Sequence, residues 1–142
     1  AEVNSLRRSA IEKHVGCKSF NPLEVQPQEN AFDFVMDCVG AVPTRKTALA
    51  AVKPGGVIMH VGLQDWASEI DMRKLTLAEI TLLGTYTYST VDLQATVNLL
   101  ARKAFGDLSW VEKRSLNDGP KAFSDLHAGK TASAKVLLKP FE

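Results

Sequence analysis

Two glycine-containing segments are the parts of this sequence best suited to bind a ligand. One runs from Asp37 to Gly40 and the other from Val61 to Leu63, and each follows a run of apolar and β-branched residues. When parallel strands end side by side, the segments that follow them share one crevice, where nucleotides bind. The pattern therefore predicts a dinucleotide site, and its candidate residues are Cys38, Val39, Gly40, Val61, Gly62 and Leu63.

Side chains that carry acid–base, nucleophilic or metal chemistry are few and scattered. The two cysteines, Cys17 and Cys38, form no C-x-x-C pair, and the three histidines form no H-x-x-x-H pattern. We expect both cysteines to be buried free thiols and His60 to be a hydrogen-bonded core histidine. No catalytic or metal-ligating residue is predicted, and four acids are interpreted as helix caps or surface charges: Asp37, Asp71, Asp92 and Asp125.

Length and composition predict one compact soluble unit. The chain has 142 residues, of which 45% are hydrophobic, and a net charge of +1 without a basic stripe. Nucleic-acid binding is therefore not expected. No apolar run is long enough for a bilayer and no signal peptide is evident, so we expect no membrane association and a cytoplasmic protein. No G-x-G-x-x-G occurs, and the chain is interpreted as the back half of a larger enzyme.

Periodicity and turn residues predict alternating helices and strands in an α/β fold. The central prediction is a strand over residues 31–40, buried on both faces because apolar residues fill it with little alternation. The predicted helices are Ser5 to Val15 ended by Gly16, Pro43 to Val52 ended by K-P-G-G, Asp92 to Gly106, and a segment after Asn117 or Asp118 in which Ala122, Phe123 and Leu126 face inward. The other predicted strands are Cys17 to Pro22, Val57 to Val61, Ser68 to Met72 at an edge, Ile80 to Tyr86, Trp110 to Ser115 and Lys135 to Leu138.

Several short motifs follow one another along the chain in a fixed order. They are D-C-V-G, V-K-P-G-G-x-I-x-x-V-G, E-x-x-L-L-G-T-Y, and A-F-S-D-L-H-A-G-K with K-V-L-L-K-P. In this order they resemble the motifs of the medium-chain alcohol dehydrogenases. The combination is most similar to their zinc-containing polyol and threonine dehydrogenase branch. The resemblance implies an incomplete Rossmann-type doubly wound parallel sheet in residues 1–86. Residues 87–142 would then return to the catalytic domain. Zinc would belong to the full-length enzyme only, and the fragment would be inactive without the glycine-rich turn and the zinc ligands.

The resemblance also implies cofactor contacts. Glu2 matches an acid that binds the adenosine ribose and disfavours a 2′-phosphate, which favours NAD over NADP. Counting back from Gly16 instead places Val3 at that position. Arg7 follows in its usual place, and Lys135 matches a basic residue that reaches the pyrophosphate. The first glycine segment would line the adenosine side, and the second would face the nicotinamide together with Thr85 to Thr87.

Three functions remain open. The first is an NAD-dependent alcohol or polyol dehydrogenase acting on a small alcohol. The second is an S-adenosylmethionine-dependent methyltransferase, because K-P-G-G before a strand also occurs there, although the terminal K-V-L-L-K-P has no natural place in that class. The third is a truncated, non-catalytic oligomerising module. By resemblance, Ser68 to Met72 would pair with its copy in a homo-oligomer, which an unpaired sheet edge would also favour.

Overall fold

The computed structural model describes residues 1–106 and 108–141, and it confirms the predicted α/β class. The prediction of one compact unit is wrong, because the chain divides into two. Residues Gln26–Ser89 form the central unit, and Ala1–Val25 together with Thr90–Glu142 form the terminal unit. None of the helices in the described ranges is long and apolar enough to cross a membrane.

Helices and strands alternate along most of the chain. In chain order they are α1 (Ser5–Val15), β1 (Phe32–Asp37), α2 (Val42–Ala51), β2 (Val52–His60), α3 (Met72–Leu77), β3 (Thr81–Gly84), α4 (Thr90–Ala101), β4 (Glu112–Ser115), α5 (Gly119–His127) and β5 (Val136–Lys139), with a 3₁₀ turn at Leu116–Asp118. The connections within the central unit follow the strand–helix–strand pattern that parallel pairing requires.

The central unit is a parallel sheet of order β1-β2-β3 with α2 packed on it. Its core is a cluster of buried apolar side chains, against which Val35, Leu75 and Ala78 pack. The cluster consists of Ala48, Leu49, Val52, Ile58 and Ile80. Because the strands are in register, their carboxyl ends lie side by side, with Asp37 opposite His60 and His60 opposite Gly84.

The prediction that the strand over residues 31–40 is buried on both faces is wrong. β1 lies at one edge of the three-stranded sheet. Phe32, Phe34 and Met36 on one of its faces are 45%, 49% and 50% exposed. The opposite face carries Val35 against the core and the buried Asp37. The apolar run correctly predicts a strand, but the number of covered faces depends on neighbours elsewhere in the fold.

β2 begins at Val52, five residues before its predicted start, so the K-P-G-G segment lies inside the strand. The segment fits there because Gly55 adopts a left-handed φ of 73° and the pairing with β1 shifts between Phe32 and Phe34. The glycines therefore form an irregularity within the strand rather than a loop that precedes it.

The predicted edge strand Ser68 to Met72 is also wrong. Residues 67–71 are irregular, and the unpredicted helix α3 begins at Met72. Asp71 starts this helix because its side chain accepts a hydrogen bond from the amide of Lys74, which confirms its interpretation as a cap. The following strand, β3, is shorter than the predicted span and ends at Gly84.

The terminal unit contains α1, as predicted, with Gly16 in the left-handed conformation at its end. Asn4 caps α1 through its Oδ1 atom, and its Nδ2 atom donates to the carbonyl of Gly129 at 2.8 Å. β4 and β5 form a two-stranded parallel sheet. The predicted strand Cys17 to Pro22 is not a strand, although the carbonyl of Phe20 accepts a hydrogen bond from the amide of Glu2 at 3.0 Å.

Helix faces in the terminal unit differ from the predictions. In α5, Ala122 is buried as expected, but Phe123 is 74% exposed. α4 runs from Thr90 to Ala101 rather than from Asp92 to Gly106, and all of its residues are exposed, including the apolar Leu93, Val97 and Leu100. An apolar stripe predicts a helix without identifying what covers it.

Candidate functional site

The carboxyl ends of the three central strands bring the predicted glycine segments together. The amides of Val61 and Gly62 both donate to the carbonyl of Asp37, at 2.9 and 3.0 Å. The amide of Thr85 donates to the carbonyl of His60 at 3.1 Å. The segments after β1, β2 and β3 therefore lie along one edge of the sheet, where open parallel sheets bind their ligands.

The turn Cys38–Ala41 and the turn Val61–Asp65 pack backbone against backbone at Gly40 and Gly62. A Cβ atom on Gly40 would lie 1.8 Å from the carbonyl oxygen of Gly62, and one on Gly62 would lie 2.1 Å from the carbonyl carbon of Val39. Gly40 also has a left-handed φ of 70°. Each glycine is therefore required by the other turn, and close approach of a ligand is not needed to explain either.

Asp37 organises the first turn and was predicted to be a cap or a surface charge. It is buried, at 5% exposure, so the surface interpretation is wrong. Its Oδ1 atom accepts from the amides of Val39 and Gly40 at 3.1 and 2.9 Å. Its Oδ2 atom accepts from the Thr44 hydroxyl at 3.1 Å. These donors compensate for the loss of water around a buried carboxylate.

Arg45 connects helix α2 to the end of β2 and to the segment beyond it. Its Nε atom donates to Nε2 of His60 at 3.0 Å, Nη1 donates to the Ser68 hydroxyl at 3.0 Å, and Nη2 donates to the carbonyl of Asp65 at 2.8 Å. The Asp65 carboxylate in turn accepts from the amide of Val42 at 2.8 Å. His60 is partly buried and hydrogen-bonded, as predicted.

A largely apolar cavity of about 320 Å³ lies beside Arg45 and His60 in the central unit. Trp66 lines it while remaining fully exposed. Its walls also include Ala48, Leu49, Ile58, Ile70, Leu75 and Leu82, and its polar end includes Asp37, Arg45, His60 and Ser68. The cavity thus joins the core to the segment that follows β2.

The remaining predicted contact residues are spread over both units. Thr85 and Thr87 are exposed, and Thr87 has a left-handed φ of 53°. In the terminal unit, the Glu2 carboxylate accepts from the amide of Asn4 at 2.8 Å, and Lys135 is exposed. The Nε atom of Arg7 is buried and has no hydrogen-bond partner among residues 1–106 and 108–141.

An ion-pair network joins β4 to α5 in the terminal unit. Arg114 donates to Glu112 at 2.6 Å and to Asp125 at 2.8 Å, and the Thr131 hydroxyl donates to Glu112 at 2.7 Å. The hydrogen bonds from Arg114 and then Thr131 lower the pKa of Glu112, and the bond from Arg114 lowers the pKa of Asp125. The Arg114 pKa is raised, first by Glu112. Asp125 is thus an ion-pair partner rather than a cap.

Metal-ligating side chains do not cluster in the described parts of the chain, where no three His, Cys, Asp or Glu residues could hold an ion together. Cys17 and Cys38 are free, as predicted, but both are exposed, so their predicted burial is wrong. Cys38 follows the edge strand β1 and Cys17 follows the helix end at Gly16, and both positions leave the side chain at the surface.

Sequence reasoning missed Thr44, Arg45, Asp65 and Ser68. Arg45 offered a signal, because it lies four residues after Ala41 and three before Ala48, on the stripe that α2 buries. A cation on such a stripe indicates a polar partner within the fold. No comparable pattern marks Asp65 or Ser68, whose contacts depend on how the chain turns after β2.

Known proteins provide an independent comparison. The sequence profile of the zinc-binding dehydrogenase family matches residues 21–102. D-xylulose reductase A from Aspergillus oryzae is 26% identical over 145 aligned positions, which cover 91% of this chain and 40% of that protein. The chain therefore spans about two fifths of the length of that relative.

Solved structures share the fold. Acetophenone reductase from Geotrichum candidum, determined in complex with NAD, superposes with a TM-score of 0.83 at 24% identity, over 99% of this chain and 40% of that one. A zinc-binding dehydrogenase from Sinorhizobium meliloti bound to NADP gives a TM-score of 0.78 at 21% identity, over 98% of this chain and 44% of that one. At these identities the likeness establishes the fold alone.

Proposed function

Because this chain belongs to the zinc-binding dehydrogenase family, we propose that it is the C-terminal, cofactor-binding portion of an NAD-dependent alcohol or polyol dehydrogenase. The convergence of the segments after β1, β2 and β3 at one sheet edge carries this proposal. We assign residues 1–86 to the dinucleotide-binding portion and residues 87–142 to the segment that returns to the catalytic domain. The substrate would be a small alcohol or polyol.

In the central unit, the proposed site uses mainly backbone groups. Cys38–Gly40 would line the adenosine side, while Val61–Leu63 and Thr85–Thr87 would face the nicotinamide. The exposure of Val61, Leu63 and both threonines supports their assignment, since a ligand must reach them. Bound nicotinamide dinucleotide supplies the hydride acceptor or donor, and the residues of this chain bind and orient it.

In the terminal unit, Glu2 would accept hydrogen bonds from the adenosine ribose, and Arg7 and Lys135 would provide positive charge for the phosphates. The carboxylate of Glu2 would repel a 2′-phosphate, which favours NAD over NADP. Both cofactors occur among the structural neighbours.

The described residues of this chain do not fit zinc, because no three potential ligands come together. Zinc would therefore belong to the full-length enzyme and not to this chain. The sequence also contains no G-x-G-x-x-G, the turn that lets a helix N-terminus approach the pyrophosphate. For this reason we propose that the fragment alone is inactive.

Self-association is a further part of the proposal. Ser68 to Met72 is not a strand in the single chain, but Ile70 and Met72 are 39% and 60% exposed, and the exposed Trp66 lines the same cavity as Ile70. A twofold copy could pair with this segment in an isologous contact. Light scattering should find a dimer or larger species, and Ile70→Pro should weaken it by removing an amide donor. A monomer at high micromolar concentration would contradict self-association.

Nuclear magnetic resonance can test the cofactor proposal. The ¹⁵N-labelled chain would be titrated with NAD⁺ to millimolar concentration, with S-adenosylmethionine as the matched control ligand. We expect NAD⁺ to shift amide resonances in residues 38–40, 61–63 and 85–87, and S-adenosylmethionine to shift none of them. Shifts with the control ligand alone would favour the methyltransferase. An unchanged spectrum with NAD⁺ at millimolar concentration would reject cofactor binding by this chain.

A further inference from the structure

We propose that Arg45 is a positioning residue, which holds the turn Val61–Asp65 against the turn Cys38–Ala41 and does so more strongly while His60 is neutral. The role of the held turn as the nicotinamide-facing side rests on the proposed function. The positioning of this turn by Arg45 does not rest on the proposed function, because it follows from contacts within the central unit. Neither Arg45 nor His60 is needed as a direct cofactor contact for this inference.

The contacts of Arg45 close a ring around the start of α2. The guanidinium donates to the carbonyl of Asp65, and the carboxylate of Asp65 accepts from the amide of Val42, three residues before Arg45 on the same helix. The amide of Asp65 also donates to the carbonyl of Gly40 at 3.0 Å, and that of Gln64 donates to the carbonyl of Val39 at 3.1 Å. The outer half of the turn Val61–Asp65 thus depends on Arg45 at one side and on the first turn at the other.

The bond to His60 fixes the protonation state of the imidazole. An arginine Nε–H can only donate, so Nε2 of His60 must accept and the ring proton must be on Nδ1. Protonation of Nε2 would place two N–H groups and two positive charges against each other. Arg45 would then lose one of its three hydrogen-bond partners, and repulsion from the imidazolium would weaken the bonds to Ser68 and Asp65 that remain.

The other charged groups near His60 do not remove this conflict. The Asp37 Oδ2 atom lies 3.8 Å from Nε2 of His60, but the Asp37 carboxylate already accepts from two amides and the Thr44 hydroxyl. The Asp65 carboxylate is bonded to the amide of Val42. A protonated His60 would be attracted to the Asp37 carboxylate, but it would lose the hydrogen bond that it accepts from Arg45.

Four variants separate positioning from simple packing. Arg45→Met keeps an aliphatic side chain and removes every donor. Arg45→Lys keeps the positive charge but loses the planar guanidinium, which donates to several partners at once. His60→Gln keeps a side-chain acceptor for Arg45 and removes the titration. Lys53→Met is the matched control, because it removes a cation of the same unit that pairs with the exposed Asp33.

The measurements are the ring ¹⁵N shifts of His60 and the exchange protection of the amides of Gln64 and Asp65, corrected for intrinsic rates. The parent chain should show the Nδ1–H tautomer near pH 8. Protection of both amides should fall roughly tenfold in acid, once the ring ¹⁵N shifts report that His60 has gained its second proton. Arg45→Met and Arg45→Lys should lose this protection near pH 8 and in acid, and His60→Gln should keep it under both conditions. Lys53→Met should behave as the parent.

An Nε2–H tautomer in the parent would overturn the inference, even if the arginine variants failed to fold. Unchanged protection of Gln64 and Asp65 in Arg45→Met would overturn it as well. The cofactor titration is a separate result. If the protection behaves as expected and NAD⁺ shifts no resonances, the proposed function fails while the positioning role stands.

Discussion

The two units of this chain are stabilised in different ways. The central unit has a cluster of buried apolar side chains beneath a parallel sheet, whereas Ala122 is the one buried apolar residue of the terminal unit among residues 1–106 and 108–141. Glu112, Arg114, Asp125 and Thr131 instead form a polar network there. The apolar core and the backbone contacts position the strands of the central unit, while the network of the terminal unit consists of ionised groups whose stabilising effect is lost in acid.

The largest effect should come from the backbone contact in the central unit. Gly40→Ala should destabilise that unit by about 3 kcal/mol, because it adds overpacking to a left-handed φ. Gly55→Ala is the matched control, since Gly55 has a φ of 73° and no atom within 4 Å of a built Cβ. It should cost about 1 kcal/mol. Urea unfolding measures both, and equal losses would show that the close contact contributes nothing.

A smaller effect should distinguish the terminal unit in acid. The folded-state pKa values of Glu112 and Asp125 lie below their ordinary values of 4.5 and 3.8. Their contribution is therefore complete above those values and is lost as the pH falls through the lower folded values. Unfolding of the terminal unit, followed by Trp110 fluorescence in a Trp66→Phe background, should show falling stability below about pH 4.5.

Glu112→Gln should flatten this acid slope, whereas Glu29→Gln, which alters an exposed carboxylate of the central unit, should leave it unchanged. If the slope survives Glu112→Gln in full, the network does not distinguish the two units in acid.

Cofactor affinity of the isolated chain should be weak. The central unit keeps the segments proposed for adenosine and nicotinamide, but the chain has no glycine-rich pyrophosphate turn. Calorimetric titration with NADH at micromolar protein should give weak or undetectable binding. Affinity tighter than about 1 μM, which corresponds to about 8 kcal/mol, would show that the missing turn is dispensable or supplied by another subunit.

The smallest expected difference between the two units is in the amount of zinc that each retains. Neither unit offers three potential ligands in one place among the described residues, so we expect no stoichiometric zinc. Elemental analysis after dialysis against a chelator is the measurement, and Cys38→Ser provides a control for adventitious thiol binding. One retained zinc per chain that also survives in Cys38→Ser would point to a site assembled between chains.

The distinction between local and long-range signals explains what the sequence could predict. β1, β2 and the glycine segments were predicted because long apolar runs and glycine punctuation are local signals. The exposed face of β1, the exposure of Phe123 and the contacts of Arg45 could not be predicted, because they depend on which neighbours cover a face. The six-residue α3 was missed because a short helix started by one capping side chain leaves almost no periodicity.

The reciprocal contact of Gly40 and Gly62 limits how this sequence can diverge. A larger residue at either position meets main-chain atoms of the other turn, and no side chain there can shrink to compensate. The usual route, in which one substitution is accommodated by a second at a contacting residue, is therefore closed. Descendants of this sequence can change either glycine only by moving a whole turn, through an insertion or a new loop path.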